Sequence, residues 1–144
     1  MSGEAATPAP LVLGVLVSGT GSNLGAILDA IARGDLPARV ALVLSNVPGV
    51  RALDRAAERG VPTAVVDHRA FTTREAFDAE VVARLRAAGV GCVVLAGFMR
   101  VVTPTLLDAF PDRVVNVHPS LLPAFPGAHA RHDALRHGVK VAGC

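Results

Sequence analysis

Five short apolar runs separated by helix-like segments constrain this chain more than any other feature. They are "LVLGVLV" (11–17), "ARVALVL" (38–44), "PTAVV" (62–66), "CVVLA" (92–96) and "RVVNVH" (113–118). Each is almost continuously apolar and rich in β-branched residues, the pattern of strands covered on both faces. Between them, "NLGAILDAIARG" (23–34) sets Leu24, Ile27, Leu28 and Ile31 on one helical stripe and stops at Gly34. "VRALDRAAERG" (50–60) and "TREAFDAEVVARLRAAG" (73–89) repeat the pattern. The second opens on Thr73 with Glu75 and Asp78 early, and ends on Gly89. Strand alternating with helix means parallel crossovers, so the expected architecture is α/β with a doubly wound, mostly parallel sheet.

In such sheets ligands bind beyond the carboxyl ends of the strands. The segments in question are "SGTGSN", "SNVPG", "DHRAFTTR", "GFMR" and "HPSLLPAFPG". Composition narrows what they bind. A net charge of +2 with no cluster of like charges offers neither a nucleic-acid stripe nor a membrane-binding face, which leaves small molecules as partners. With no Trp or Tyr, 51% hydrophobic content must build an aliphatic core, and 144 residues suffice for one domain. Residues 1–10 are expected to be a disordered leader and 11–144 the folded unit. Cys92 and Cys144 lack any CxxC neighbour and read as thiols of a reducing, cytoplasmic compartment. No apolar stretch reaches the roughly 18 residues that span a bilayer.

"SGTGSN" (18–23) joins the first strand to the first helix. Its glycines permit positive φ and close backbone approach, and the helix start beyond presents unpaired N–H groups to an anion. As a dinucleotide fingerprint it is poor, because the third glycine position is Leu24, and a phosphomonoester fits better; a plain tight turn is the alternative. "LAGFMR" (95–100) leaves Phe98 and Met99 beside Arg100 at a strand end. Either a ligand covers them, with Arg100 on a carboxylate or carbonyl-rich ring, or they pack under the helix expected in "TPTLLDAF".

Asn116 and His118 are two apart where the fifth run breaks at Pro119, so as strand residues they face one side. An amide donor and an imidazole there can polarise a carbonyl and hold the oxyanion formed on attack. The remaining histidines have weaker claims. His129 and His132 have helical spacing but no acidic or thiol residue to complete a metal site, and His68, His132 and His137 read as structural or solvent-facing. Ser120 follows Pro119 without a nucleophile elbow, so the expected chemistry needs no metal.

Taken together, "SGTGSNL", "LSN", "LAGFMR" and "NVHPSLLPAFPG", in this order and at these intervals, closely resemble the phosphoribosylglycinamide formyltransferase family from Leu11 to Cys144. "NVHPSLLP" alone would mark only the wider superfamily, which includes methionyl-tRNA formyltransferase and formyltetrahydrofolate hydrolase. The resemblance implies a Rossmann-like formyltransferase fold, with 10-formyltetrahydrofolate as formyl donor and glycinamide ribonucleotide as acceptor. It implies that Gly21, Ser22 and Asn23 hold the ribonucleotide phosphate. Arg74, Met99, Arg100, Val101 and Val102 would form the folate site. Asn116 and His118 would be the catalytic pair, with Asn116 also touching the folate. A monomer or homodimer is expected.

The family's third catalytic residue is an aspartate shortly beyond the segment matched by "VAGC". The chain ends at Cys144, so the expectation is that the C-terminal part of the fold, this aspartate included, is missing and that turnover is slow. Asp133 lies in the helix before the last run and is no substitute. "VKVAGC" reads as an edge strand without its neighbour. Another folate-dependent formyltransferase, a formyltetrahydrofolate hydrolase, or a catalytically silent phosphate-binding fragment are the alternatives.

Overall fold

A computed structural model describes residues 8–117 and 121–144. The apolar runs form strands β1 (Leu11–Val17), β2 (Ala38–Ser45), β3 (Thr63–Val65), β4 (Cys92–Leu95) and β5 (Val114–Asn116). They pair in parallel in the order β3-β2-β1-β4-β5. The doubly wound reading holds. Helices α1 (Ser22–Ala32), α2 (Arg51–Glu58), α3 (Arg74–Ala87) and α4 (Pro104–Ala109) lie in the connections, α5 (Ala130–His137) follows β5, and a 3-10 turn lies at His68–Ala70.

Alternation along the strands divides the core in two. Val15, Val17 and Val43 pack with Leu24 and Leu28 of α1 and Ala52 and Ala56 of α2. Their neighbours Leu16, Leu42 and Leu44 turn to the opposite face, against Phe77, Val81 and Leu85 of α3 and Leu106 of α4. Both faces of β1 are therefore sealed, which explains why "LVLGVLV" shows no polar alternation. At about 25 cal/mol per Å² of apolar surface, each fully buried Leu or Val contributes roughly 1.5–3 kcal/mol before chain entropy is counted.

Gly14 is the one interruption in β1, and packing accounts for it. A Cβ there would stand 2.5 Å from Leu85 Cδ2 and 3.0 Å from both Val90 methyls. The same point carries a register shift: Leu13 pairs with Val40 and Gly14 with Leu42, so Ala41 is an extra residue in β2. Gly14→Ala is expected to cost about 1–3 kcal/mol by overpacking α3 against the sheet. A urea midpoint unchanged from the parent chain would show that Leu85 yields at no cost.

Two expectations need correction. Residues 139–144 form no strand, although "VKVAGC" carries strand-like alternation, because a strand exists only where a ladder partner lies alongside. His129 and His132 do not share a helical face: His129 is the N-cap of α5, with φ −117° and ψ 34°, and only His132 lies in the helix. Of the expected leader, residues 1–7 lie outside the described residues, as do His118, Pro119 and Ser120. Among the described residues no helix is long and apolar enough to cross a membrane.

Candidate functional site

From β1 the chain crosses to β2 on one side, whereas from β4 it crosses to β5 on the other. The carboxyl ends of β1 and β4 are therefore the switch point of the sheet, where the outgoing loops diverge and leave a crevice. The loops that diverge are "SGTGSN" and "GFMR".

The first loop ends in an open helix start. Gly21 is the N-cap of α1 in the left-handed region, φ 74° and ψ 28°, and contributes no side-chain cap. No acidic residue occupies the first turn, and Ser22 and Asn23 are exposed. The leading N–H groups and the positive end of an 11-residue helix thus face solvent without a counter-charge, as an anion site requires. Helix α3 shows the contrast: Thr73 Oγ1 accepts the Ala76 N–H at 3.1 Å and Glu75 lies in the first turn. Helix α2 braces the loop from behind, its Ala52 N–H donating to Gly19 O at 3.0 Å and Arg55 Nε to Thr20 O at 2.8 Å.

The second loop presents apolar surface next to a cation. Met99 is 65% and Val101 67% exposed, while Val102 is half-buried against the core. Phe98 packs against the core cluster that holds Leu106 of α4 and Phe77 of α3, its ring stacked 6.4 Å from that of Phe77. Arg100 lies with its guanidinium carbon 5.4 Å from the Phe77 ring centre, and its buried Nε has no hydrogen-bond partner. Arg74 is the first residue of α3, one turn before Phe77. The loop closes on Thr103, whose N–H and Oγ1 both donate to Asp78 Oδ2 at 2.7 Å. Asp78, read from sequence as a favourable charge early in α3, instead anchors the start of α4.

Polar side chains at three strand ends link the loops. Ser18, after β1, accepts the Met99 N–H at 2.8 Å and donates to Asn46 Oδ1 at 2.5 Å. Asn46, after β2, is 2% exposed, and its Nδ2 lies 3.2 Å from His68 Nδ1 beyond β3. Asp67 fixes the turn carrying His68 by accepting the Arg69 N–H at 2.9 Å. Ser18 and Asn46 carried no role in the sequence pattern, and Asp78 carried a different one. The signal for the first two was their position as the first polar residue after a buried strand.

The Arg69 side chain, then its backbone N–H, lower the Asp67 carboxyl to about 2. A depressed folded-state pKa gives a stabilising contribution present above the ordinary carboxylate value of about 3.9 and lost as pH falls towards 2. Arg69→Ala is expected to move the Asp67 midpoint upward in a carboxyl-carbon NMR titration. A midpoint that stays in place would remove Arg69 as the cause.

Asn116 ends β5 and is exposed; β5 borders β4, so Asn116 stands opposite Leu95 at the same end of the sheet as the two loops. The strand stops there, and His118, the other member of the expected pair, lies outside the described residues.

The sequence pattern of the formyl transferase family matches residues 12–144. The chain belongs to that family. Among proteins similar to it, "Trifunctional purine biosynthetic protein adenosine-3" of Drosophila melanogaster is 49% identical over 133 residues, 90% of this chain and 10% of that protein. "Phosphoribosylglycinamide formyltransferase" of Mycobacterium tuberculosis (strain CDC 1551 / Oshkosh) is 48% identical over 139 residues, 94% of this chain and 62% of that one. The crystal structure of glycinamide ribonucleotide transformylase 1 from Symbiobacterium toebii superposes with a TM-score of 0.92 at 51% identity, covering 96% of this chain and 65% of that chain. The chain therefore spans about a tenth of the trifunctional relative and under two-thirds of the bacterial one.

Proposed function

We propose that residues 11–144 are a formyltransferase domain that moves a formyl group from 10-formyltetrahydrofolate to the amine of glycinamide ribonucleotide, in the cytoplasm, as a step of purine synthesis. The observation that carries this reading is what the two loops at the switch point present to each other's side of the sheet end. One wall is an uncapped helix start suited to a phosphate, and the other an exposed apolar segment with an unpartnered Arg Nε. Gly21, Ser22 and Asn23 hold the ribonucleotide phosphate through backbone N–H groups. Met99, Val101 and Val102 flank the pterin, Arg100 supplies a donor at its edge, and Arg74 pairs with the donor's carboxylate tail.

The acceptor amine attacks the formyl carbon, forming a C–N bond and a tetrahedral oxyanion. Asn116 donates to that oxyanion together with His118, His118 delivers a proton to the folate nitrogen as its bond to the formyl carbon breaks, and the proton shed by the attacking nitrogen restores the charge on His118. Holding amine and formyl carbon in one crevice replaces a bimolecular encounter. A mass-spectrometric assay with both substrates checks the reading: formylated ribonucleotide is expected, and less of it with Asn116→Ala. Formyl folate hydrolysed without ribonucleotide would assign a hydrolase instead, and ribonucleotide binding without any product would assign a silent phosphate-binding domain.

A further inference from the structure

The two walls of the crevice meet at one hydroxyl. Ser18 immediately precedes Gly19 of the anion loop, and its Oγ accepts the N–H of Met99, 81 residues away and first in the proposed pterin segment. We infer that Ser18, Asn46 and His68 are positioning residues of a relay that couples ribonucleotide binding to folate binding. This inference rests on the proposed function, which supplies both ligands.

A serine hydroxyl has one proton, and where it points decides which neighbours its lone pairs serve. Here the proton goes to Asn46 Oδ1, 2.5 Å away, which leaves a lone pair for Met99. The Asn46 amide must therefore keep its oxygen towards Ser18. His68 enforces this when its ring carries the proton on Nε2, because Nδ1 then accepts from Asn46 Nδ2 at 3.2 Å. With the proton on Nδ1, the ring donates to the Asn46 carbonyl at 3.3 Å instead, and the amide loses its orienting partner.

Asn46 is almost wholly buried, so water does not substitute for these bonds. Any shift of the anion loop on phosphate binding moves Ser18 and, through it, the Met99 peptide. The link works equally in reverse, since coupling between two binding sites is reciprocal.

The test follows backbone amides of the chain by NMR during titration with ribose 5-phosphate. Gly21, Ser22 and Asn23 amides are expected to shift, with the Met99 amide and the Asn46 side-chain amide following at the same dissociation constant. Saturating ribose 5-phosphate is expected to change tetrahydrofolate affinity about fivefold. Ser18→Ala should silence Met99 and abolish that change while the loop amides still respond, and Ser18→Thr, which keeps the hydroxyl, should restore both.

If the loop amides move and Met99 does not, the relay is overturned and the phosphate reading stands. Should the loop amides themselves stay still, the phosphate reading falls and takes the relay with it. A Met99 response that persists in Ser18→Ala would reduce Ser18 to scaffold. The measurement on the unsubstituted chain decides between the first two outcomes even where a variant fails to fold.

Discussion

Gly21→Ala is expected to lower the unfolding free energy by about 2–5 kcal/mol and to abolish binding of ribose 5-phosphate, read by urea denaturation and calorimetric titration. Two independent costs add. A residue with a Cβ held at φ 74° pays roughly 1–2 kcal/mol for left-handed backbone. That Cβ would also stand 2.6 Å from Ala52 Cβ and 2.7 Å from Ala52 Cα, and a backbone atom cannot rotate away. Overpacking of this kind costs about 1–3 kcal/mol and pushes α2 off the loop it braces. Gly25, one turn into α1, is the control. A Cβ there meets only Arg55 Nη1 at 3.5 Å, so Gly25→Ala should be neutral or stabilise by up to about 1 kcal/mol through helix propensity. Equal stabilities for the two variants would remove the backbone argument.

The contrast between Gly21 and Gly25 shows what the amino-acid sequence made legible. Apolar runs buried on both faces announced the strands closely enough that β1 spans the expected residues 11–17, and the strand-helix alternation led directly to a parallel sheet. The loop after β1 stood out as a candidate anion site because its glycines come directly after a buried strand and before a helix start. Which glycine is indispensable was not, since that depends on α2, some thirty residues on in the sequence, arriving within contact distance. The same holds for Ser18, Asn46 and Asp78, whose partners lie 81, 28 and 25 residues away. Local pattern reports periodicity and turn chemistry; it does not report which polar group a crossover will bring opposite. "VKVAGC" fails for the related reason that alternation describes a strand's faces and says nothing about whether a neighbour pairs with it.

Asp78→Ala is expected to cost about 3–4 kcal/mol of stability and to weaken tetrahydrofolate binding roughly tenfold. The carboxylate is 2% exposed and takes both Thr103 donors at 2.7 Å. Hydrogen bonds to a charged group contribute about 1.5–3 kcal/mol each, and truncation leaves a buried N–H and hydroxyl unsatisfied. Against this, alanine returns only about half a kcal/mol of helix propensity. The loss propagates because Thr103 is the N-cap of α4, and the four residues before it are Met99, Arg100, Val101 and Val102. With the anchor gone, the segment keeps its hydrogen bond to Ser18 at the Met99 end and the packing of Val102 but loses its fixed junction with α4, and Arg100 is expected to hold its place over Phe77 less tightly. Asp78→Asn keeps an acceptor but not the charge, and should recover about half of both losses. A stability loss without any change in tetrahydrofolate affinity would show that the segment holds its shape independently of α3, and would withdraw Met99–Val102 from the proposed folate site.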